Sequence, residues 1–140
     1  MAYETDFYQW TQQQAALLRQ GLLSDLDYEN LAEEIESMGR SERHALVSHL
    51  VVILTHLLKW RYQPRLRCGS WENSIDNGRF EVDDVLEESP SLKPQLAAKI
   101  KKAYSLSRRS ASRETGLPLA TFPEQCPFTI EQITGDYWPD

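Results

Sequence analysis

The sequence predicts an all-α fold: a single-domain antiparallel helical bundle of four to five helices over 1–140, with a Pro-rich, aromatic-anchored C-terminal arm over 117–140. The first observation behind this is Arg43 to Tyr62, RHALVSHLVVILTHLLKWRY, the most apolar stretch of the chain. At about 100° per residue, Leu46, Val47, Leu50, Val51, Ile53, Leu54, Leu57 and Leu58 cover more than half of a helix circumference, the pattern of a helix at the centre of a bundle. The second is that amphipathic segments at helical spacing alternate with Gly and Pro breakers. The third is that no run of alternating polarity is long enough to demand a sheet, and no internal repeat or low-complexity tract is present.

In chain order, Thr5 or Asp6 caps a first helix with the stripe Phe7, Trp10, Gln14, Leu17 and Leu18, and Gly21 stops it. Ser24, Asp25 or Asp27 caps a second. Its inner face is Tyr28, Leu31, Ala32, Ile35 and Met38, its outer face Glu29, Glu33, Glu36 and Ser37, and Gly39 is expected to end it. Ser41 is the expected N-cap of the central helix. Ser48, Thr55 and Lys59 form the polar strip of that helix, with His49 and His56 on its border, and Pro64 ends it. The histidines and the following Lys59 and Arg61 exclude a membrane span here.

Ser70 is the expected cap of a fourth helix with the stripe Trp71, Ile75, Val82, Val85 and Leu86. Its outer face carries Asp76, Asp83, Asp84, Glu87 and Glu88, with Phe80 stranded among them. Gly78 lies on the inner stripe, where a missing side chain permits close helix approach. Ser89 and Pro90 open a fifth helix to Thr115, closed by Gly116. Leu96, Ile100, Ala103, Tyr104 and Ser107 point inward on it; Lys99, Lys101, Lys102, Arg108, Arg109 and Arg113 point outward. Beyond it, prolines exclude a long helix, and Phe122, Phe128, Ile130, Ile133, Tyr137 and Trp138 exclude a solvated tail. Thr129 starts one short turn through Ile133.

With 41% hydrophobic and 10% aromatic residues the chain is not generally disordered, and with no basic-then-apolar leader the expectation is a cytoplasmic protein. Cys68 and Cys126 stand in no CxxC or metal-ligand spacing and are expected to be free thiols. The formal charge of −6 argues against indiscriminate binding to nucleic acid or anionic membrane. That charge is blocked along the chain: residues 59–67 hold four bases and no acid, 68–92 seven acids and one base, and 93–113 seven bases and no acid.

The strings ENLAEEIESMG at Glu29–Gly39, HLLKWRYQP at His56–Pro64, SW at Ser70–Trp71, SPSLKP at Ser89–Pro94, ETGL at Glu114–Leu117 and FPEQCP at Phe122–Pro127 occur in this order along the chain. In them the sequence resembles the bacterial domain-of-unknown-function family 29, over essentially its whole length. The resemblance implies an all-helical bundle and no established activity. Asn77-Gly78 ahead of Arg79 departs from the pattern.

Chemistry is sparse. His49 and His56 project the same way but stand about 10 Å apart along the axis, too far to share a metal ion. A metal site would need one of them with Glu33, Glu34 or Glu36, and no ExxH spacing supports it. No metal ligand set and no cofactor is therefore expected. Without a GxSxG or Gly-rich phosphate loop, no catalytic residue is assigned and an enzyme is not expected. Arg61 falls in the middle of the apolar arc and is read as a buried, paired cation, with Glu114, or else Glu33, Glu34 or Glu36, as the carboxylate of the ion pair. Lys59, Trp60, Arg61, Tyr62, Arg65 and Arg67 combine cations with aromatic faces, as nucleic-acid sites do, but cations also suit a helix C-terminus.

Two functional classes remain. The first is a small helical interaction module that binds a protein partner, or itself, through Lys99, Lys101, Lys102, Arg108, Arg109 and Arg113. The second is a nucleic-acid binder using 59–67 and 93–113, with a metal-dependent enzyme a distant third. No membrane partner is expected.

Overall fold

The computed structural model describes residues 2–140, which are helical with no strand among them. The helices are α1 (Ala2–Thr5), α2 (Phe7–Gln20), α3 (Tyr28–Tyr62), α4 (Gly69–Glu88), α5 (Leu96–Thr115) and α6 (Ile130–Thr134). Single 3-10 segments lie at Leu23–Asp25, Pro64–Leu66, Pro90–Gln95 and Leu119–Thr121. The all-α bundle is as the sequence predicts. The chain divides into two compact units, one ending at Ser41 and the other Glu42–Asp140.

In the first unit, the Asp6 carboxylate accepts from the Gln9 amide at 3.0 Å and starts α2, while Gly21 ends it in the left-handed conformation at φ 72°. The stripe is only partly inward: Trp10 and Gln14 are buried, Phe7 and Leu18 exposed. Asp27 ties the unit together. Its Oδ2 accepts from Asn30 Nδ2 at 2.7 Å and Trp10 Nε1 at 2.9 Å, while its amide donates to Gln14 Oε1 at 2.8 Å. The Asn30 hydrogen bond, with help from Trp10, holds the Asp27 carboxyl below its ordinary pKa. Tyr3, Phe7 and Trp10 form an aromatic group, and the Tyr3 hydroxyl donates to Glu34.

Two expectations fail along α3. Gly39 does not end a helix and Ser41 does not cap one, because α3 runs through both. Glycine in a helix costs about 1 kcal/mol against alanine, a weak penalty that a long helix absorbs, and Gly39 does not take the positive φ of a stop. The expected inner face is also open: Tyr28, Ile35 (66% exposed) and Met38 (68%) face solvent.

The second unit holds the main core. Leu46, Leu50, Ile53, Leu54, Leu57 and Leu58 of α3 are fully buried against Ile75, Val82, Val85 and Leu86 of α4 and Leu96, Ile100, Ala103, Tyr104 and Ala111 of α5. Thr55, placed in the polar strip by periodicity, is buried with them. Gly78 supplies the close approach its position predicts: a Cβ there would lie 2.6 Å from Ile53 Cγ1.

Residues at the helix starts differ from expectation. Cys68, not Ser70, precedes the first turn of α4, without a side-chain cap. Pro90–Gln95 is a 3-10 segment, and α5 begins only at Leu96, since Pro94 has no amide hydrogen to join an α-helical ladder. The arm is anchored by buried Phe122, Phe128 and Ile133. Its short helix, α6, begins with a capping box in which Thr129 Oγ1 accepts from the Gln132 amide at 3.2 Å and Gln132 Oε1 from the Thr129 amide at 2.9 Å.

Candidate interaction face

Two inward residues of α5, Ser107 and Tyr104, hydrogen-bond across to α3 and to the arm and mark the inner side of the helix. The buried Ser107 hydroxyl donates to Val51 O at 3.2 Å and to Ala103 O at 2.7 Å, and the Tyr104 hydroxyl donates to Pro123 O at 2.5 Å. With those residues inward, Lys101, Lys102, Arg109 and Arg113 are exposed. Lys99 is half-buried. Arg108 is also half-buried and already engaged, its Nε donating to Phe122 O at 3.0 Å. The expected row of six thus contains four cations open to solvent. Among the described residues, the carboxylates within ion-pair distance of a cation are Glu33, Glu36, Glu81 and Glu114, and none faces a cation of α5.

The exposed cations are not alone. Leu106 (43% exposed) lies between Lys102 and Arg109 on the same face, and Leu119 stands beside Arg109 and Arg113. Arg109, Ser112, Arg113 and Leu119 line an open notch of about 390 Å³. Two guanidiniums one turn apart suit a carboxylate or another planar anion, since each presents a fork of N–H donors. A second groove of about 370 Å³ is lined by Ile100, Lys101, Tyr104, Glu124 and Cys126 among others. Burial pushes the Tyr104 phenol up to about 12 and raises the Cys126 thiol, so both stay protonated at neutral pH and neither is a ready nucleophile.

The cations of 59–67 have a different fate. Lys59 Nζ lies 3.4 Å from Glu114 Oε1 and 5.0 Å from the centre of the Trp71 ring. Arg67 stacks on Trp60 at 4.9 Å and donates from Nε to Trp60 O at 2.9 Å, although its Nη2 is buried without a hydrogen-bond partner. Trp60 packs on Trp138 at 4.9 Å and donates to Pro139 O at 3.0 Å. The faces that would stack bases are covered by the protein's own side chains.

Arg61 and Glu114 do not pair. Arg61 is exposed, its guanidinium carbon 5.8 Å from the Tyr62 ring, and Lys59 takes Glu114. Helical phase puts Arg61 on the apolar arc, but the fully buried residues of α3 end one turn earlier at Leu58, and it is the flanking Trp60 and Tyr62 that pack on Trp138 and Phe122 of the arm. The buried cation is Arg79. Its Nε donates to Ile133 O at 2.9 Å, its Nη2 to Gln132 O at 2.8 Å and Tyr137 O at 2.6 Å, and its guanidinium lies 5.4 Å from the Trp138 ring centre. Burial lowers its pKa, partly offset by the charges of Asp76 and Asp136. Arg67, Trp60, Trp138 and Arg79 therefore form one continuous row of contacts, the two tryptophan rings tilted at 51°, that fastens the arm to α3 and α4. The signal for Arg79 was its phase: Ile75, Arg79, Val82 and Leu86 recur at helical spacing on one face.

His49 lies 3.9 Å from Glu81, and His56 Nδ1 contacts Val52 O at 2.8 Å. Among the described residues no group of three or more His, Cys, Asp or Glu side chains is arranged to hold a metal ion, and no helix is long and apolar enough to cross a membrane. Cys68 and Cys126 are free. No curated protein and no solved structure matches the chain. The family model for the domain of unknown function DUF29 matches residues 2–138, and the chain belongs to that family.

Proposed function

We propose that this DUF29 domain is a protein-interaction module of the bacterial cytoplasm, and that its partner docks on the outward face of α5. The observation that carries the reading is a row of exposed cations, Lys102, Arg109 and Arg113, that has no carboxylate opposite it and is interrupted by exposed Leu106. Arg109 and Arg113 are four apart, and a like-charge pair at that spacing destabilises a helix by about as much as an opposite pair stabilises it, ~0.2–0.5 kcal/mol. An acidic surface laid on the row removes that cost, and an apolar contact on Leu106 adds what phosphate cannot. A nucleic-acid reading loses half its footprint because Trp60 is committed to Trp138, and the net charge of −6 opposes it further.

A photo-crosslinking residue at Leu106 tests this in living cells. The expected product is a protein–protein adduct that survives nuclease treatment and is lost when Lys102 and Arg109 are both changed to Glu. Adducts removed by nuclease would transfer the face to nucleic acid, and no adduct at all would leave it as a solvated surface.

A further inference from the structure

The outer faces of α4 and α5 carry the same pattern with opposite charge. On α4, Asp76, Phe80, Asp83 and Glu87 follow one another at spacings of four, three and four; on α5, Lys102, Leu106, Arg109 and Arg113 do the same. At about 100° per residue each set falls within an arc of about 60° and runs about 16 Å along its helix. All eight residues are exposed, and Phe80, at 68%, is among the most exposed large apolar side chains of the molecule. Among the described residues, no ion pair joins the two stripes within one chain.

We infer that the partner of the α5 face is a second copy of this chain, whose α4 stripe lies parallel and in register on it. The inference rests on the reading of α5 as a docking face. In the parallel alignment Asp76 meets Lys102, Phe80 meets Leu106, Asp83 meets Arg109 and Glu87 meets Arg113. The antiparallel alignment sets Phe80 against Arg109 and Asp83 against Leu106, so the register selects one direction. Asp83 and Glu87 then approach the notch between Arg109, Arg113 and Leu119, where forked donors suit a carboxylate. Phosphate would satisfy the cations but leave Phe80 and Leu106 uncovered, which is why a protein surface is the better occupant.

Since the two stripes are different surfaces, α4 of one copy meets α5 of the next either reciprocally about a two-fold axis or head-to-tail, in short chains or a ring. One stripe on another is a small interface, at the weak end of the specific range below about 1,200 Å². The association is thus reversible, and its ionic part responds to salt.

Sedimentation velocity on the full chain reads this directly. At about 0.1 M salt the weight-average sedimentation coefficient should rise with protein concentration, and at about 1 M, where the screening length falls from about 10 Å to about 3 Å, it should return to the monomer value. Asp83→Arg alone and Arg109→Asp alone should each remove the concentration dependence. Mixing the two variants in equal amounts should restore it, since the intact α4 of one meets the intact α5 of the other and the reversed stripes also match. A parent that stays monomeric, single variants that associate like the parent, or a mixture that fails to recover would each overturn the inference. If the parent is monomeric while the Leu106 adduct with a different protein persists, the docking face stands and only the second copy falls.

Discussion

Residues 59–67 and 93–113 are both basic and free of acids, yet Lys59 and Arg67 of the first are half-buried against tryptophan rings, while Lys102, Arg109 and Arg113 of the second are exposed. In 59–67, Lys59 and Arg67 lie over Trp71 and Trp60, and a carboxylate or a helix-end carbonyl lies within reach of each. Among the described residues, Lys102, Arg109 and Arg113 of α5 make no ion pair and lie over no aromatic ring. Charge density alone does not make a recognition surface. What separates the two segments is whether neighbouring residues already satisfy the cation, and Arg79 is the extreme of the satisfied class.

The largest effect that tests this contrast is at Arg79. Arg79→Met keeps much of the apolar stem but strips the donors from the Ile133, Gln132 and Tyr137 carbonyls. It should cost about 3 kcal/mol or more, since each buried acceptor left without its donor costs about 1–3 kcal/mol. Urea unfolding measures it, and a loss below about 1 kcal/mol would place Arg79 with the solvated cations.

Gly78→Ala comes next. It forces a methyl group to within 2.6 Å of Ile53 and pushes α4 off α3, and overpacking of this kind costs about 1–3 kcal/mol. Unchanged stability would mean that α4 shifts freely and that the row of contacts built on Arg79 is looser than its hydrogen bonds imply.

How far the sequence foretold this follows from the same residues. Periodicity located the core of α3 through Leu58 and the close approach at Gly78, because both are properties of one helix face. It placed Arg61 inside wrongly, because phase says which way a side chain points and not where the packed layer ends. It stopped a helix at Gly39 because a glycine marks a stop only when it takes positive φ, as Gly21 and Gly116 do. The fastening of the arm by Arg79, Trp60 and Trp138 joins residues far apart in sequence, and no local pattern encodes such a meeting. The outward α5 face was legible in large part, since its charge and its inner stripe lie on one helix; the engagement of Arg108 by Phe122 O was not.

A smaller, pH-dependent effect separates the inner side of α5 from the outer. Burial raises the Tyr104 phenol to about 12, so its contribution to stability is complete below the unfolded value near 10 and is lost as pH rises through about 12. Cys126, also raised by burial, adds to the loss above about pH 9. Tyr104→Phe should cost about 1 kcal/mol at neutral pH through the lost hydrogen bond to Pro123 O, and it should flatten the decline between pH 10 and 12. An unaltered alkaline slope would show that Tyr104 does not carry it.

The smallest expected change in stability comes from the outward cations of α5, which serve a partner and not the fold if the proposal holds. Urea unfolding and sedimentation velocity should be run side by side on the parent and on the Lys102→Glu, Arg109→Glu double variant. The expected result is unfolding free energies within about 0.5 kcal/mol of each other, as for surface substitutions generally, together with complete loss of salt-sensitive association in the variant. A variant that loses more than about 2 kcal/mol would show that these cations hold the fold, and one that associates as its parent does would show that no partner docks on them.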